Sequence, residues 1–319
     1  MARDVNALAW AVKISGAGFG RVILFFGTLN STPLIPFMNP STPPAKDLTL
    51  VLGATGKTGR RITSRLQHLG HGLRRGSRSA SPSFDWERPA SWDTCLKGAT
   101  AAYISYAPDL AVPGTTDLIA AFSEKAKQHG LRRLVLLSGR GEAEAQACER
   151  IVRESGIDST IVRASWFNQN FSEGAFTDMI QAGRISLPAG DVPEPFIDAE
   201  DIADVAVAAL TEPGHAGEIY EVTGPRALTF AEATDELSRA IGRPIEYQQI
   251  PHQAFVDGVA ASGAPETVVW MMDYLFATVL DGRNAQVTDG VQRALGRPPK
   301  DFADYARETA TTNAWRVAA

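Results

Sequence analysis

The sequence predicts an α/β fold built on a doubly wound parallel sheet, with a small, mostly helical lobe towards the carboxyl end. Three observations carry this. From Asp47 onward short apolar runs alternate with helix-period segments, the pattern of βαβ units. The first run, Asp47-Leu48-Thr49-Leu50-Val51-Leu52, leads directly into the glycine-rich stretch Gly53-Ala54-Thr55-Gly56-Lys57-Thr58-Gly59, and a helical pattern starts at Arg60. After Ser165 the regular alternation weakens and helical segments dominate. A strand, a glycine turn and a helix place unpaired backbone N–H groups and the positive end of a helix dipole where a pyrophosphate can sit. The sheet is therefore of the Rossmann type, with its ligand beyond the carboxyl ends of the strands.

The elements follow in order. The helix after the glycines runs to Leu69, and Gly72 to Arg78 takes the place of the second strand despite poor strand propensity. Ser83-Phe84-Asp85-Trp86 reads as a short third strand, Trp92 to Leu96 as a brief helix, and Ala101 to Ser105 as a fourth strand. Leu118, Ile119, Phe122 and Ala126 make one face of a helix over Thr115 to His129, stopped by Gly130. Arg133 to Leu137 is a buried strand, Glu142 to Glu154 a helix, and Ser159 to Arg163 the next strand. Trp166 to Gln181 is a loop leading to a helix, and Asp198 to Leu210 is a helix that Asp198 can cap, with Asp201 answering from the first turn. A strand over Glu218–Val222, a helix over Phe230–Ile241, a strand over Ile245–Ile250 and helices around Pro265–Leu280 and Asp301–Thr309 complete the chain.

This divides the chain into an extension over 1–46, a dinucleotide-binding domain over 47–225, of which 166–190 contributes to the substrate lobe, and the lobe itself over 226–319. The extension contains Pro33, Pro36, Pro40, Pro43 and Pro44 and reads as extended or disordered, an over-long start or a dispensable tail. Its apolar run Arg21–Phe26 is too short to span a bilayer and lacks the features of a secretory signal. An apolar content of 44% and a charged content of 21% are those of a globular protein. The net charge of −5 gives no general attraction to nucleic acid or anionic membrane, so the expected partner is a small-molecule substrate. Cys95 and Cys148 are too few for a metal cluster or a disulfide framework, and no metal site is expected. Both read as buried apolar residues in a cytoplasmic protein, for which a homodimer is compatible with the sequence.

The glycine stretch has a rival reading, since Gly56-Lys57-Thr58 ends like a Walker A loop. That motif needs a glycine where Val51 stands inside the strand, whereas Gly53, Gly56 and Gly59 fit the GxxGxxG form of dinucleotide turns. NAD-preferring turns place an acid about twenty residues beyond the glycines for the ribose 2′-OH. Here the first acid is Asp85, and the second-strand region carries Arg74, Arg75, Ser77, Arg78 and Ser79 instead. A guanidinium suits a phosphate and a hydroxyl adds a donor. NADPH is therefore expected over NADH, with Arg78 as the 2′-phosphate ligand and Arg60 as a second; the plainer alternative is a solvated basic face.

Gly53–Arg60, Phe84-Asp85-Trp86, Ser138-Gly139, Glu154-Ser155-Gly156-Ile157, Thr160–Arg163, Trp166-Phe167 and Asn170-Phe171 together resemble the NmrA-like group of atypical short-chain dehydrogenases. The Phe-Asp-Trp with Ser91-Trp92, and Ser138-Gly139-Arg140, are similar to the branch containing the ergot-alkaloid festuclavine and agroclavine synthases, which reduce an iminium with NADPH. The resemblance implies that Gly53, Thr55, Gly56, Thr58 and Gly59 surround the pyrophosphate. It places Arg78 and Ser79 at the adenosine 2′ position, Asp85 and Trp86 near the adenine, and Tyr106, Ala107 and Pro108 along the nicotinamide ribose. Ser138 and Gly139 stand beside that ribose, and Ala164, Ser165, Trp166 and Phe167 border the nicotinamide and substrate.

Typical short-chain dehydrogenases use a tyrosine proton donor and a lysine one turn later, yet Ser138 to Arg153 contains neither; it offers Glu142, Glu144, Cys148 and Glu149. Two kinds of acceptor do not need that pair. An iminium already carries its charge, and a quinone or enone forms a stabilised anion. The catalytic candidates are Tyr106 as proton donor and Ser165, with Asn170, as a group orienting substrate; Trp166, Phe167 and Asn170 are the candidate substrate contacts. The sequence thus reads as an NADPH-dependent reductase, and alternatively as a dinucleotide-binding redox sensor that turns nothing over.

Overall fold

The computed structural model describes residues 47–174 and 176–316; the expectations for residues 1–46 lie outside them. The strands are β1 (Leu48–Leu52), β2 (Gly72–Gly76), β3 (Ala101–Ile104), β4 (Arg133–Gly139), β5 (Asp158–Ala164), β6 (Arg184–Leu187), β7 (Ile219–Val222) and β8 (Glu246–Gln249). Six of them form one sheet in the order β2-β1-β3-β4-β5-β7, parallel at every pairing. β1 shows how the sheet is covered on both faces. Leu50 and Leu52 enter one apolar cluster with Trp92 and Phe122, while Val51, pointing the other way, joins Ile62 and Ile202.

The helices supply those two layers. α1 (Lys57–His68) lies on one face; α2 (Trp92–Leu96), α3 (Thr115–Gln128) and α4 (Ala143–Glu154) lie on the other. After the short α5 (Phe176–Gln181), α6 (Ala199–Thr211) joins α1. Arg61 and Arg65 of α1 pair with Glu200 and Asp204 of α6 at 2.5–2.7 Å, so charge as well as packing joins these two helices. α7 (Phe230–Ile241), α8 (His252–Ala261), α9 (Glu266–Tyr274), α10 (Gly290–Leu295) and α11 (Phe302–Ala310) follow, α9 running on through a π-helical turn over Leu275–Val279. A third apolar cluster brings Phe171 and Phe176 together with Phe196, Phe230, Phe276 and Phe302. α10 returns from that region to the sheet, where Val291 packs beside Val222.

Three expectations are corrected. Ser83–Trp86 is not a strand: the Asp85 carbonyl accepts from the Trp92 indole at 2.8 Å and its N–H donates to Ser91 Oγ at 3.2 Å, so side chains take the groups a sheet neighbour would use. The Ile245–Ile250 strand exists as β8, but it pairs with β6, which has no counterpart among the expected elements, in a separate two-stranded sheet. Asp198 caps α6 by accepting from the Glu200 N–H at 2.8 Å, whereas Asp201 turns away to accept from Arg297 and the Lys300 N–H, both at 2.7 Å. Cys95 and Cys148 are buried free thiols, as expected. Among the described residues no helix is long and apolar enough to cross a membrane.

Candidate functional site

The chain leaves β1 for β2 on one side of the sheet and later enters β3 on the other side. At such a reversal the carboxyl ends of neighbouring strands open a crevice. A cavity of about 660 Å³ lies there, walled by the turn after β1, the loop after β3, the ends of β4 and β5, and Met271, Met272 and Leu275 of α9 and its π-helical turn.

One end is built for an anion. Gly53 has φ of +65°, a left-handed conformation that lets the chain turn sharply out of β1. A Cβ on Gly59 would collide with the Gly53 carbonyl, so glycine there is what allows α1 to begin against the strand. The N–H groups of Lys57, Thr58 and Gly59 open α1 and have no acceptor within it. Thr55, Gly56, Lys57 and Thr58 all line the cavity. The Thr58 hydroxyl accepts from Tyr103 at 2.9 Å inside the core, which leaves its backbone as the group offered to a ligand. Burial lowers the pKa of Lys57, with Glu173 acting in the opposite sense. Glu173 also pairs with Arg60 and with Arg61, the latter at 2.7 Å, so Arg60 is engaged across the mouth of the cavity.

The other end is aromatic and acidic. Trp166 meets the rings of Phe230 and Phe276 edge-on at 5.5 and 5.1 Å and lines the cavity with Phe167 and Asn170. Tyr106, Ala107 and Pro108 form the facing wall, Tyr106 resting on Trp86 at 5.2 Å. Ser138 and Gly139 close β4 beside them, the Ser138 hydroxyl donating to Glu149 at 2.6 Å. The Ser165 hydroxyl accepts from Arg140 at 3.0 Å, and the same guanidinium donates to Glu221 at 2.7 Å and to the Asn284 carbonyl at 2.8 Å. Arg140 is thus a structural tie with its donors committed.

Four cavity-lining carboxyls were not anticipated as site residues: Glu173, already described, and Asp109, Glu142 and Glu194. Glu142 was noted in the sequence only as an alternative to the missing tyrosine and lysine, and neither Asp109 nor Glu194 stands in any motif. Burial pushes Glu194 up to about 7, against the attraction of Arg140 and hydrogen bonds from the Trp166 N–H and Ser165. Glu142 is pushed well above the carboxylate range by burial and by the neighbouring Asp109.

The residues expected on the adenine side are absent from this cavity wall. Leu52 pairs with Gly76, and the Ala54 N–H donates to the Gly76 carbonyl at 3.4 Å, so the chain beyond β2 starts next to the glycine turn. Arg78 and Ser79 follow on the exposed surface, with Ser79 Oγ 3.3 Å from Ser77 Oγ. Arg74 is spent on the Cys95 and Lys97 carbonyls at 2.6 and 2.7 Å. Asp85 pairs with Arg88 at 2.9 Å, and Trp86 packs among Phe84, Trp92 and Phe122.

Comparison with known proteins agrees with this fold. Residues 143–305 match the NmrA-like family, and residues 53–213 match a family described as NAD(P)H-binding. An NAD(P)H azoreductase of Xenophilus azovorans is 31% identical over 82% of this chain and 97% of its own. Agroclavine dehydrogenase of Claviceps fusiformis is 29% identical over 83% of this chain and 98% of its own. In three dimensions the NADPH-dependent quinone oxidoreductase of Escherichia coli, complexed with NADPH, superposes with a TM-score of 0.68 at 19% identity, over 82% of this chain and 99% of that one.

The buried Glu194 makes stability depend on pH. Its folded pKa of about 7 exceeds the reference value of 4.5, so the stabilisation is full below pH 4.5 and is lost as pH rises through 7. Glu194→Gln is expected to remove a slope on the order of 3 kcal/mol over that window. Denaturant unfolding of both proteins at pH 5 and pH 8 checks this; an unchanged difference between the two pH values would refute it.

Proposed function

The chain belongs to the NmrA-like family, and from that premise we propose that it is an NADPH-dependent reductase of an apolar imine or iminium, quinone or enone. The observation that carries the reading is the continuity of one cavity, from unpaired N–H groups at the start of α1 to an aromatic end beyond β4 and β5. The residues present fit a dinucleotide: Gly59 lets α1 begin against β1 and so sets the N–H groups where a pyrophosphate can meet them, and Lys57 adds a cation. When bound, the cofactor supplies a hydride from C4 of its nicotinamide.

In this reading Gly53, Gly56 and Gly59 shape the turn, and the backbone of Thr55 and Thr58 meets the pyrophosphate. Arg78 and Ser79 receive the 2′-phosphate. Both are exposed, and the Asp85 carboxylate is paired with Arg88. Tyr106, Ala107, Pro108, Ser138 and Gly139 wall the nicotinamide ribose. Trp166, Phe167 and Asn170 border the acceptor, and Ser165, fixed by Arg140, orients it. The protein's work at this end is to hold a flat apolar acceptor against the nicotinamide and exclude water. The net charge of −5 supports a small-molecule enzyme acting in the cytoplasm, with no nucleic-acid or membrane partner.

NADPH oxidation followed by absorbance against cyclic imines, quinones and enones tests the reading. Turnover of at least one class is expected. Tight NADPH binding with no turnover of any would contradict it and favour a redox sensor. Arg78→Glu is expected to reduce the preference for NADPH over NADH at least tenfold, about 1.4 kcal/mol. An unchanged ratio of the two cofactors' kcat/KM would remove Arg78 from this role.

A further inference from the structure

The reacting end of the cavity carries more acid than a hydride transfer needs. Glu142 stands at the start of α4 with only 5% of its surface exposed, and it lines the cavity. Its carboxyl fills the space a side chain on Gly139 would occupy, so the backbone of β4 is kept bare to admit it. Its Oε2 is buried and has no hydrogen-bond partner among the described residues. The half-buried Asp109, in the loop after β3, lines the cavity with Glu142 and is the neighbouring charge that acts on it most strongly, its Oδ1 accepting from the Ala111 N–H at 2.9 Å. Ionising Asp109 therefore opposes ionising the more deeply buried Glu142.

Among the described residues, the arginines at this end are already paired. Arg163 is committed to Glu149 at 2.5 Å and to Glu221 at 3.4 Å, and Arg140 to Glu221, Ser165 and the Asn284 carbonyl. The other titratable groups acting on Glu142 are Glu144 and Glu149 of α4 and the Tyr274 hydroxyl of α9, which donates to Glu144 at 3.0 Å. Glu194 adds a further carboxyl to the same end of the cavity. Such a wall disfavours an acceptor that becomes an anion, as a quinone does. It favours one that becomes a cation.

We propose that the Asp109–Glu142 pair is the acid of this site, that Glu142 holds its proton, and that the acceptor is a neutral imine. The proposal rests on the reductase reading and narrows it. The Glu142 O–H bond breaks, an N–H bond forms at the imine nitrogen, and the resulting iminium faces the carboxylate left behind. The iminium carbon then gains a C–H bond from hydride while the C=N π pair becomes the nitrogen lone pair. The product is an amine, the dihydronicotinamide is oxidised by two electrons, and the pair regains its proton from water. Tyr106 remains a wall of the ribose subsite rather than the donor.

The test compares wild type, Glu142→Gln, Asp109→Asn and Tyr106→Phe on a cyclic imine and on its N-methyl iminium, which needs no proton. With the imine, Glu142→Gln is expected to lower kcat at least ~100-fold and Asp109→Asn to shift the pH profile, while Tyr106→Phe, which alters the ribose subsite, should change the imine and N-methyl iminium rates by the same factor. The N-methyl iminium should restore most of the rate to Glu142→Gln. Independently of turnover, infrared difference spectra at pH 7 should show a protonated-carboxyl C=O band in wild type that Glu142→Gln removes. Unfolding should show wild-type stability falling as pH rises above the ordinary glutamate range, more steeply than in Glu142→Gln, because a raised carboxyl loses its stabilisation in that direction.

Equal losses on both substrates in Glu142→Gln, no loss on either, or the imine-selective loss appearing in Tyr106→Phe instead would overturn the assignment, as would absence of the infrared band. Wild-type turnover of quinones but not imines would overturn the substrate class and leave the reductase reading standing. No NADPH oxidation with any acceptor would bring down the reductase reading and this inference with it.

Discussion

The close approach of α1 to the end of β1 is the constraint on which the site depends. Because Gly59 has no side chain, its backbone can lie against the Gly53 carbonyl, and α1 starts within a turn of the strand. That contact aims the first N–H groups of α1 into the crevice between β1 and β3. A helix displaced outward by a side chain would lose both the sheet packing of Ile62 and Leu66 and the alignment of those donors. The ion pairs from α1 to Glu200 and Asp204 of α6 hold the helix from its other side. Packing and binding geometry are here the same interaction.

The cavity that results is electrically divided. At the turn, a helix N-terminus and Lys57 present positive potential. Beyond β4 and β5 the wall is carboxylic and aromatic, and its buried Arg140 is neutralised by Glu221 and held by the Asn284 carbonyl. A dinucleotide carries its charge at one end and its reactive ring at the other, so a cavity divided this way suits it in one orientation. The low polarity of the far end is also what raises Glu142 and Glu194, since desolvation penalises their charged forms.

Much of this was legible in the sequence, for identifiable reasons. The strand–glycine–helix junction is local, and its spacing reports the turn directly. Parallel strands buried on both faces read as apolar runs, which is why β1, β4 and β5 stand out. Ser83–Trp86 misleads because its aromatic residues have strand propensity, whereas their burial comes from packing on Trp92 and Phe122. β6 is invisible because Arg184–Leu187 is short and its partner β8 lies far along the chain. Asp109 and Glu142 belong to different loops, and only the alignment of β3 with β4 brings them together. No spacing rule contains that meeting.

The position of NADPH in a crystal structure of the complex decides whether α1 aims the cofactor in this way. The pyrophosphate should lie on the N–H groups of Lys57, Thr58 and Gly59, the 2′-phosphate against Arg78, and the nicotinamide between Tyr106 and Trp166, its open face towards Glu142. A nicotinamide lying at the glycine turn, or a 2′-phosphate remote from Arg78 with the ring outside the acidic end, would contradict it.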